Sequence, residues 1–208
     1  HYFPLQEFSI FNWEQYAGHI SRTLVDLVKD DIKDYSFETL HKNISIVSQE
    51  TYLFRGSIMD NIRYGKLDAT TEEIIRASKT VCADDFITRF QDGYQTEVKE
   101  RGSLLSQGQK QLISFARTLL SDPRILILDE ATSSVDTRTE LLLQAAMSEI
   151  MKGRTNFVIA HRLSTIKKAD EILFIDKGTV KERGTHKELL EKGGLYADMY
   201  YSQFGGKV

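Results

Sequence analysis

Cysteine is nearly absent: Cys82 stands alone, so no disulfide can form within the chain. No basic segment followed by an apolar one and a small-residue cleavage site opens the sequence, and a reducing, cytosolic setting is the default expectation. Proline is scarce too, with only Pro4 and Pro123, and neither a Gly/Ser-rich linker nor an internal repeat appears. That reads as one domain with inserted helices. No stretch approaches the roughly 20 consecutive apolar residues of a membrane span. The longest clean runs are of the kind Ile125-Leu126-Ile127-Leu128, too short to cross a bilayer. Excess positive charge is missing as well: 27 Lys+Arg against 30 Asp+Glu give a net charge of −3. The isoelectric point is about 6.0, where a nucleic-acid-binding domain would exceed about 9, so no nucleic-acid partner is expected. The first residue is His1 rather than Met, which reads as a processed chain or a piece of a longer one.

What is present is the material of a globular core. Hydrophobic residues make up 41% of the 208 and charged residues 27%, the latter close to the globular average of about 25%. In the C-terminal half, apolar runs of strand length alternate with amphipathic helical segments. Ile125 to Asp129, Asn156 to Ala160 and Glu171 to Asp176 have the composition of strands buried on both faces of a mostly parallel sheet. Between them Leu112, Ile113, Phe115, Ala116, Leu119 and Leu120 recur at helical spacing, as do Leu141, Leu142, Ala145, Ala146 and Ile150. This alternation predicts an α/β fold. Lys177-Gly178 is placed for a tight hairpin turn into Thr179 to Arg183. Thr185 with Glu188 predicts a capped helix through Leu190, broken by Gly193-Gly194. From about Asp60 to Leu120 the pattern is helical, over Thr71 to Lys79, Ala83 to Arg89 and a long segment from Ser106, which predicts a helical subdomain inserted in the α/β core.

Two places carry chemistry. The apolar run from Ile125 ends in Asp129-Glu130, and parallel-sheet enzymes bind ligands outside the carboxyl ends of their strands. One such carboxylate can hold Mg²⁺ while the other orients or deprotonates a water; a strand followed by a solvated acidic turn would look the same. Upstream, Ser106 is placed to cap the amphipathic helix, whose first amides and positive dipole end form an anion site, with Gly108 allowing close approach. An ordinary serine-capped helix would again look the same.

In order along the chain, Leu105-Ser106-Gln107-Gly108-Gln109, Ile125 to Glu130, Ser133-Ser134-Val135-Asp136 and Ile159-Ala160-His161-Arg162 resemble four motifs of ATP-binding-cassette (ABC) ATPases: signature, Walker B, D-loop and switch histidine. Ile44 to Gln49 resembles the family's Q-loop strand. Leu53 to Ile58 with Asp60-Asn61-Ile62, and Thr96 to Gly102, resemble segments of its exporters, with Lys99 where glycine is usual. Asp176-Lys177-Gly178 through Leu190 is similar to the closing hairpin and helix. The resemblance runs from about Leu24 to the C-terminus. It implies a P-loop NTPase-like α/β cassette with a mostly parallel sheet and a helical subdomain at about 60–120. It implies further an exporter ATPase at the cytoplasmic face of the membrane, with ATP and Mg²⁺, a transmembrane domain and a second cassette paired head to tail. By the same resemblance Asp129 holds Mg²⁺ through water, Glu130 polarises the attacking water, and Gln49 touches metal and water. His161 contacts the γ-phosphate, Asp136 couples the two sites of a dimer, and Ser106, Gly108 and Gln109 close over nucleotide held by the partner. Such positioning and charge stabilisation is what phosphoryl transfer needs.

The family's phosphate cradle, Gly-x-x-x-x-Gly-Lys-Ser/Thr, has backbone amides that wrap the phosphates, and it should precede Gln49. It is missing from the sequence: Gly18 is the only glycine before Gln49, and Gly65-Lys66 comes after it and continues into Leu67. Residues 1–23 match nothing in the family pattern, and none of Tyr2, Phe3, Phe8, Phe11, Trp13 or Tyr16 is fixed as an adenine stacker. The N-terminal part of the core is therefore incomplete or divergent, and the chain is not expected to hold ATP tightly by itself. Gln107, in place of the commoner signature glycine, is read as tolerated. A noncatalytic module that donates its signature to an intact cassette, or an inactive truncated remnant, are the alternatives. The DNA-repair branch of the superfamily is disfavoured, because no heptads separate Gln49 from Ser106.

Overall fold

The computed structural model describes residues 35–48, 51–98, 104–129, 136–159 and 163–204. They fall into two compact units, one of residues 37–160 and one containing 163–204. In the first unit α1 (Phe37–Asn43) leads into β1 (Ile44–Val47), followed by a two-residue β2 (Gly56–Ser57) and α2 (Ile58–Arg63). Then come α3 (Thr71–Thr80), α4 (Asp84–Ile87), a 3₁₀ turn (Gly93–Gln95) and β3 (Glu97–Val98). The unit closes with α5 (Gln107–Ser121), β4 (Ile125–Asp129), α6 (Thr137–Met151) and β5 (Thr155–Ile159).

The apolar runs read from sequence build a three-stranded parallel sheet in the order β1-β4-β5. Its register places Val47 beside Leu128 and Leu128 beside Val158. Alternate residues of a strand face opposite ways. Val47, Leu126 and Leu128 are buried in one core with Leu112, Ile113, Phe115 and Ala116 of α5 and Leu143, Ala146 and Ile150 of α6. On the other face Ile125 and Ile127 are half-buried and Ile46 is exposed. Burial on both faces, expected from the unbroken apolar runs, is therefore corrected among the described residues. The helices that adjoin β4 in sequence sit over one side only, and a four-residue Ile/Leu run cannot say which of its faces a helix covers.

The middle of the chain is helical as read. Capping boxes start three of its helices: Ser57 with Asp60, Thr70 with Glu73, and Ser106 with Gln109. Each pairs a side-chain acceptor with a first-turn amide, satisfying donors that a helix start leaves orphaned. Ile58, Ile62, Ile74 and Ile87 share one core with the sheet residues. The segment expected as a helix over Ala83 to Arg89 keeps only Asp84–Ile87, because Phe90 and Gly93 turn the chain toward the antiparallel β2–β3 ladder.

In the second unit α7 (Leu163–Lys168) precedes a hairpin of β6 (Ile172–Asp176) and β7 (Thr179–Gly184), then α8 (His186–Lys192) and α9 (Leu195–Phe204). Lys177 and Gly178 both have positive φ, 49° and 71°, the geometry of a tight hairpin turn. Among the described residues Glu171 to Asp176 pairs with no strand of the parallel sheet, contrary to the expectation. That turn folds the strand straight back, β6 pairs antiparallel with β7, and Leu173 and Ile175 are exposed. Thr185 and Glu188 form the expected capping box, and Gly193 ends α8 in the left-handed conformation. Glu182, buried on β7, accepts the N–H groups of Leu195 and Tyr196 at 3.1 and 3.0 Å and so caps α9.

His186 ties α8 to α9: its Nδ1 lies 2.7 Å from the Tyr196 hydroxyl, its ring leans on Tyr200, and Lys167 of α7 sits over the Tyr200 ring. Burial first, then the Lys167 charge, pushes the imidazole pKa below its ordinary value. The unfolded chain, with a histidine pKa of about 6.5, then binds the proton more readily than the folded one. The stabilisation is fully present above that pH and is lost as pH falls through the lower folded value. His186→Asn removes this linkage, so the gap in Tm between the natural chain and the variant should narrow from pH 7.5 to 5.5. A gap that stays constant contradicts the pairing.

Candidate functional site

The parallel register does the first part of the assembly. β1, β4 and β5 end side by side, with Val47, Leu128 and Val158 level and strands about 4.8 Å apart. Asp129, level with Ile159, is the last residue of β4 and is half-buried. Gln49, Glu130 and His161 lie outside the described residues, within two residues of described strand ends. In sequence these three follow the carboxyl ends of β1, β4 and β5; of the four expected positions the structure describes only Asp129. No cluster of three or more His, Cys, Asp or Glu able to hold a metal occurs among the described residues. Asp129 alone still suits Mg²⁺, which keeps several waters and takes one or two carboxylates plus substrate phosphates.

The second part is the start of α5. Ser106 Oγ accepts the Gln109 N–H at 3.2 Å, while Gln109 Oε1 accepts the Ser106 N–H at 2.9 Å. Because the hydroxyl oxygen is the acceptor there, its own proton stays available as a donor. Gly108 is buried, whereas Ser106 and Gln107 are exposed at the helix start. Gln107 at the first helical position leaves the backbone helical. Gln109 is thus a capping partner as well as a signature residue, a pairing its Ser-x-x-Gln spacing signals in the sequence. Asp136 caps α6, its Oδ1 accepting N–H groups of Arg138 and Thr139 at 3.1 Å each. Hydrogen bonds, first from the Thr139 side chain and then from backbone amides, hold its carboxyl below the usual carboxylate range. No hydrogen bond among the described residues joins Asp129, Asp136 and the Ser106–Gln109 pair; they are separate positions on one unit.

A third cluster is centred on the exporter-like segment Leu53 to Ile58 with Asp60-Asn61-Ile62, a segment with no chemical role legible in the sequence. Asn61, 1% exposed, accepts the Phe54 N–H at 2.8 Å and donates to the Phe54 and Ser57 carbonyls at 2.9 and 3.0 Å. Arg117 of α5 donates from Nε to the Asn61 carbonyl at 2.8 Å, from Nη2 to Asn61 Oδ1 at 3.2 Å and from Nη1 to the Tyr52 carbonyl at 3.4 Å. Its guanidinium lies 5.3 Å from the Phe54 ring centroid and 5.7 Å from that of Tyr64. Burial pulls its pKa down to about 10, so it is still charged at neutral pH. Tyr52, Tyr64 and Leu67 are exposed around this cluster. No helix among the described residues is long and apolar enough to cross a membrane.

Comparison with known proteins adds independent findings. A family profile described as ABC transporter matches residues 12–133. The chain is 55% identical over 177 residues to the uncharacterized ABC transporter ATP-binding protein YknV of Bacillus subtilis, covering 85% of this chain and 29% of that protein. It is 48% identical over 189 residues to the ATP-dependent lipid A-core flippase of Legionella pneumophila, covering 91% of this chain and 32% of the flippase. Among solved structures, a bacterial Atm1-family ABC exporter with ATP bound superposes with a TM-score of 0.77 at 43% identity, covering 86% of this chain and 31% of the exporter. The chain thus spans about a third of the length of the proteins it matches.

Proposed function

The chain belongs to the ABC transporter family, and on that premise we propose that it is the ATP-binding cassette of an exporter, coupling Mg·ATP hydrolysis to transport through a transmembrane domain at the cytoplasmic face of a membrane. Its α/β architecture is the P-loop NTPase fold of ABC cassettes. The observation that supports the functional reading is the shared carboxyl edge of β1, β4 and β5, the strands that lead in sequence into the segments resembling the Q-loop, Walker B and switch histidine. Mg²⁺ neutralises charge on the phosphates in this chemistry. Asp129 would hold the ion, Glu130 would polarise the attacking water, and Gln49 and His161 would contact metal and γ-phosphate. Exporter chemistry is supported by the names of the relatives, among them an ATP-dependent flippase and an Atm1-family exporter.

The sequence favours one more specific reading. No Gly-x-x-x-x-Gly-Lys stands before Gln49 in these 208 residues, so the amides that wrap the phosphates in the family are not supplied by them. What is intact is the donating half: the Ser106 hydroxyl and the first amides of α5, aimed at nucleotide held by a second cassette. Asp136 lies at the contact between the two. Mixed with an intact cassette and Mg·ATP, the chain should form a mixed dimer. Ser106→Arg should lower the partner's turnover by about a hundredfold, the lower end of what one charge-stabilising donor contributes. Unchanged turnover, or absence of any ATP-promoted dimer, refutes the donor role. Equilibrium binding of a fluorescent ATP analogue to the chain alone should be weaker than micromolar; micromolar binding that depends on residues 1–23 would show that the chain grips its own nucleotide.

A further inference from the structure

We propose that Arg117 is a positioning residue that couples the nucleotide-facing start of α5 to the aromatic surface around Tyr52, Phe54 and Tyr64; this rests on the reading that Ser106 closes over nucleotide. Arg117 follows Ser106 by eleven residues on one unbroken helix, about 16 Å along its axis at 1.5 Å per residue. At that distance the helix places a rigid planar fork beneath a segment that is more than fifty residues away in sequence. All three of its donating nitrogens engage that segment, at the carbonyls of Tyr52 and Asn61 and at the Asn61 side chain.

The chemistry is unusual for mere space filling. Among the described residues no carboxylate pairs with Arg117, and the guanidinium is held only by carbonyl and amide oxygens and by two ring faces. Half-burying a cation with no carboxylate partner among the described residues carries a desolvation cost, and an apolar side chain of similar volume would fill the same space without it. What an apolar side chain cannot supply is direction. Several charge-assisted hydrogen bonds in a planar fork fix angle as well as distance. A shift or tilt of α5 therefore either carries residues 52–61 with it or breaks those bonds. Asn61 passes the constraint on, because both its amide groups are engaged with the backbone of Phe54 and Ser57. Rings stacked on the guanidinium, Phe54 and Tyr64, lie 4.6 Å apart, and Tyr52 sits edge-on to Phe54 at 5.3 Å. Tyr52 and Tyr64 are 56% and 59% exposed, so the far end of the linkage is at the surface. The fork makes two places on the unit move as one.

The test reads the amide hydrogen exchange of Phe54, whose N–H is bonded to Asn61. The full chain is mixed with an intact cassette, with and without Mg·ATP, and association is followed separately by sedimentation. In the natural chain, ATP-driven association should slow exchange at Phe54 by about tenfold, within the usual range of coupling between sites. Arg117→Lys keeps the charge and loses the fork; it should associate normally while the slowing at Phe54 falls below about twofold. Full slowing in that variant overturns the proposal, as does association of the natural chain with no change at Phe54. Failure of the natural chain to associate overturns the donor reading and this proposal with it. Should Arg117→Lys not fold, the Nε–H resonance of Arg117 in the natural chain serves instead: it should shift on ATP-driven association, and an unmoved resonance overturns the coupling.

Discussion

Asn61→Leu is expected to lower stability by about 4 kcal/mol, the sum of a few orphaned buried groups at about 1 to 3 kcal/mol each. Leucine keeps asparagine's branched skeleton of four side-chain heavy atoms but is the larger residue, so overpacking adds to the loss of hydrogen bonds. It leaves the Phe54 N–H, the Phe54 and Ser57 carbonyls and one Arg117 N–H without their partner. Water can reach part of the loop but not the 1% exposed centre where Asn61 sits. The urea midpoint should therefore fall by about 2 M with little change in slope, for a slope near 2 kcal/mol/M. Asn61→Asp separates the contributions. It keeps the acceptor for Phe54 and gives Arg117 a carboxylate, while losing both donated bonds, so its cost should be about half as large. Equal costs for the two variants, or a loss under about 1 kcal/mol for leucine, would mean that the loop is held by something other than this amide.

The contrast between Asn61 and Asp129 shows what a sequence makes legible here. Asp129 ends an Ile-Leu-Ile-Leu run, and the run forms β4 over the residues expected, Ile125 to Asp129. Local pattern suffices because strand composition and the position of the acid are both local. The hairpin at Lys177-Gly178 and the Thr185–Glu188 cap are legible for the same reason, each being decided within four residues. Asn61 and Arg117 are decided by a contact across fifty-six positions, and neither stands in a periodic pattern that distinguishes it from a solvated polar residue. The antiparallel return of β6 lies between these cases. Its turn is readable, but the apolar run Ile172 to Phe174 does not say which strand, if any, pairs with the edge that β7 leaves open. Ser106 caps α5 and Asp129 ends β4 as their local patterns predict, whereas the cap that Asp136 makes on α6 is not among the positions read from sequence.

Gly65→Ala tests how closely α5 must approach the turn after α2. A Cβ at Gly65 would overlap the carbonyl oxygen of Arg117 and lie 3.0 Å from its carbonyl carbon and 3.3 Å from its Cγ. The obstacle is backbone, which cannot rotate away. Neither side is loose: Gly65 N–H and Lys66 N–H bond to Ile62 and Arg63, and Phe115 and Ala116 bury α5 in the core. The two segments must separate, stretching the Arg117 fork, and overpacking of this kind costs about 3 kcal/mol. Gly194 supplies the comparison. A Cβ there would overlap Oε1 of Glu182 and lie 2.8 Å from its carboxyl carbon, but a side-chain end can swing aside and leave water to cap α9. Gly194→Ala should therefore cost only about 1 kcal/mol, the worth of a lost cap. Thermal or urea unfolding of the two variants ranks them directly. If Gly65→Ala proves no more damaging than Gly194→Ala, α5 is not pinned against the turn, and the rigid linkage from Ser106 to the Tyr52 surface loses its mechanical basis.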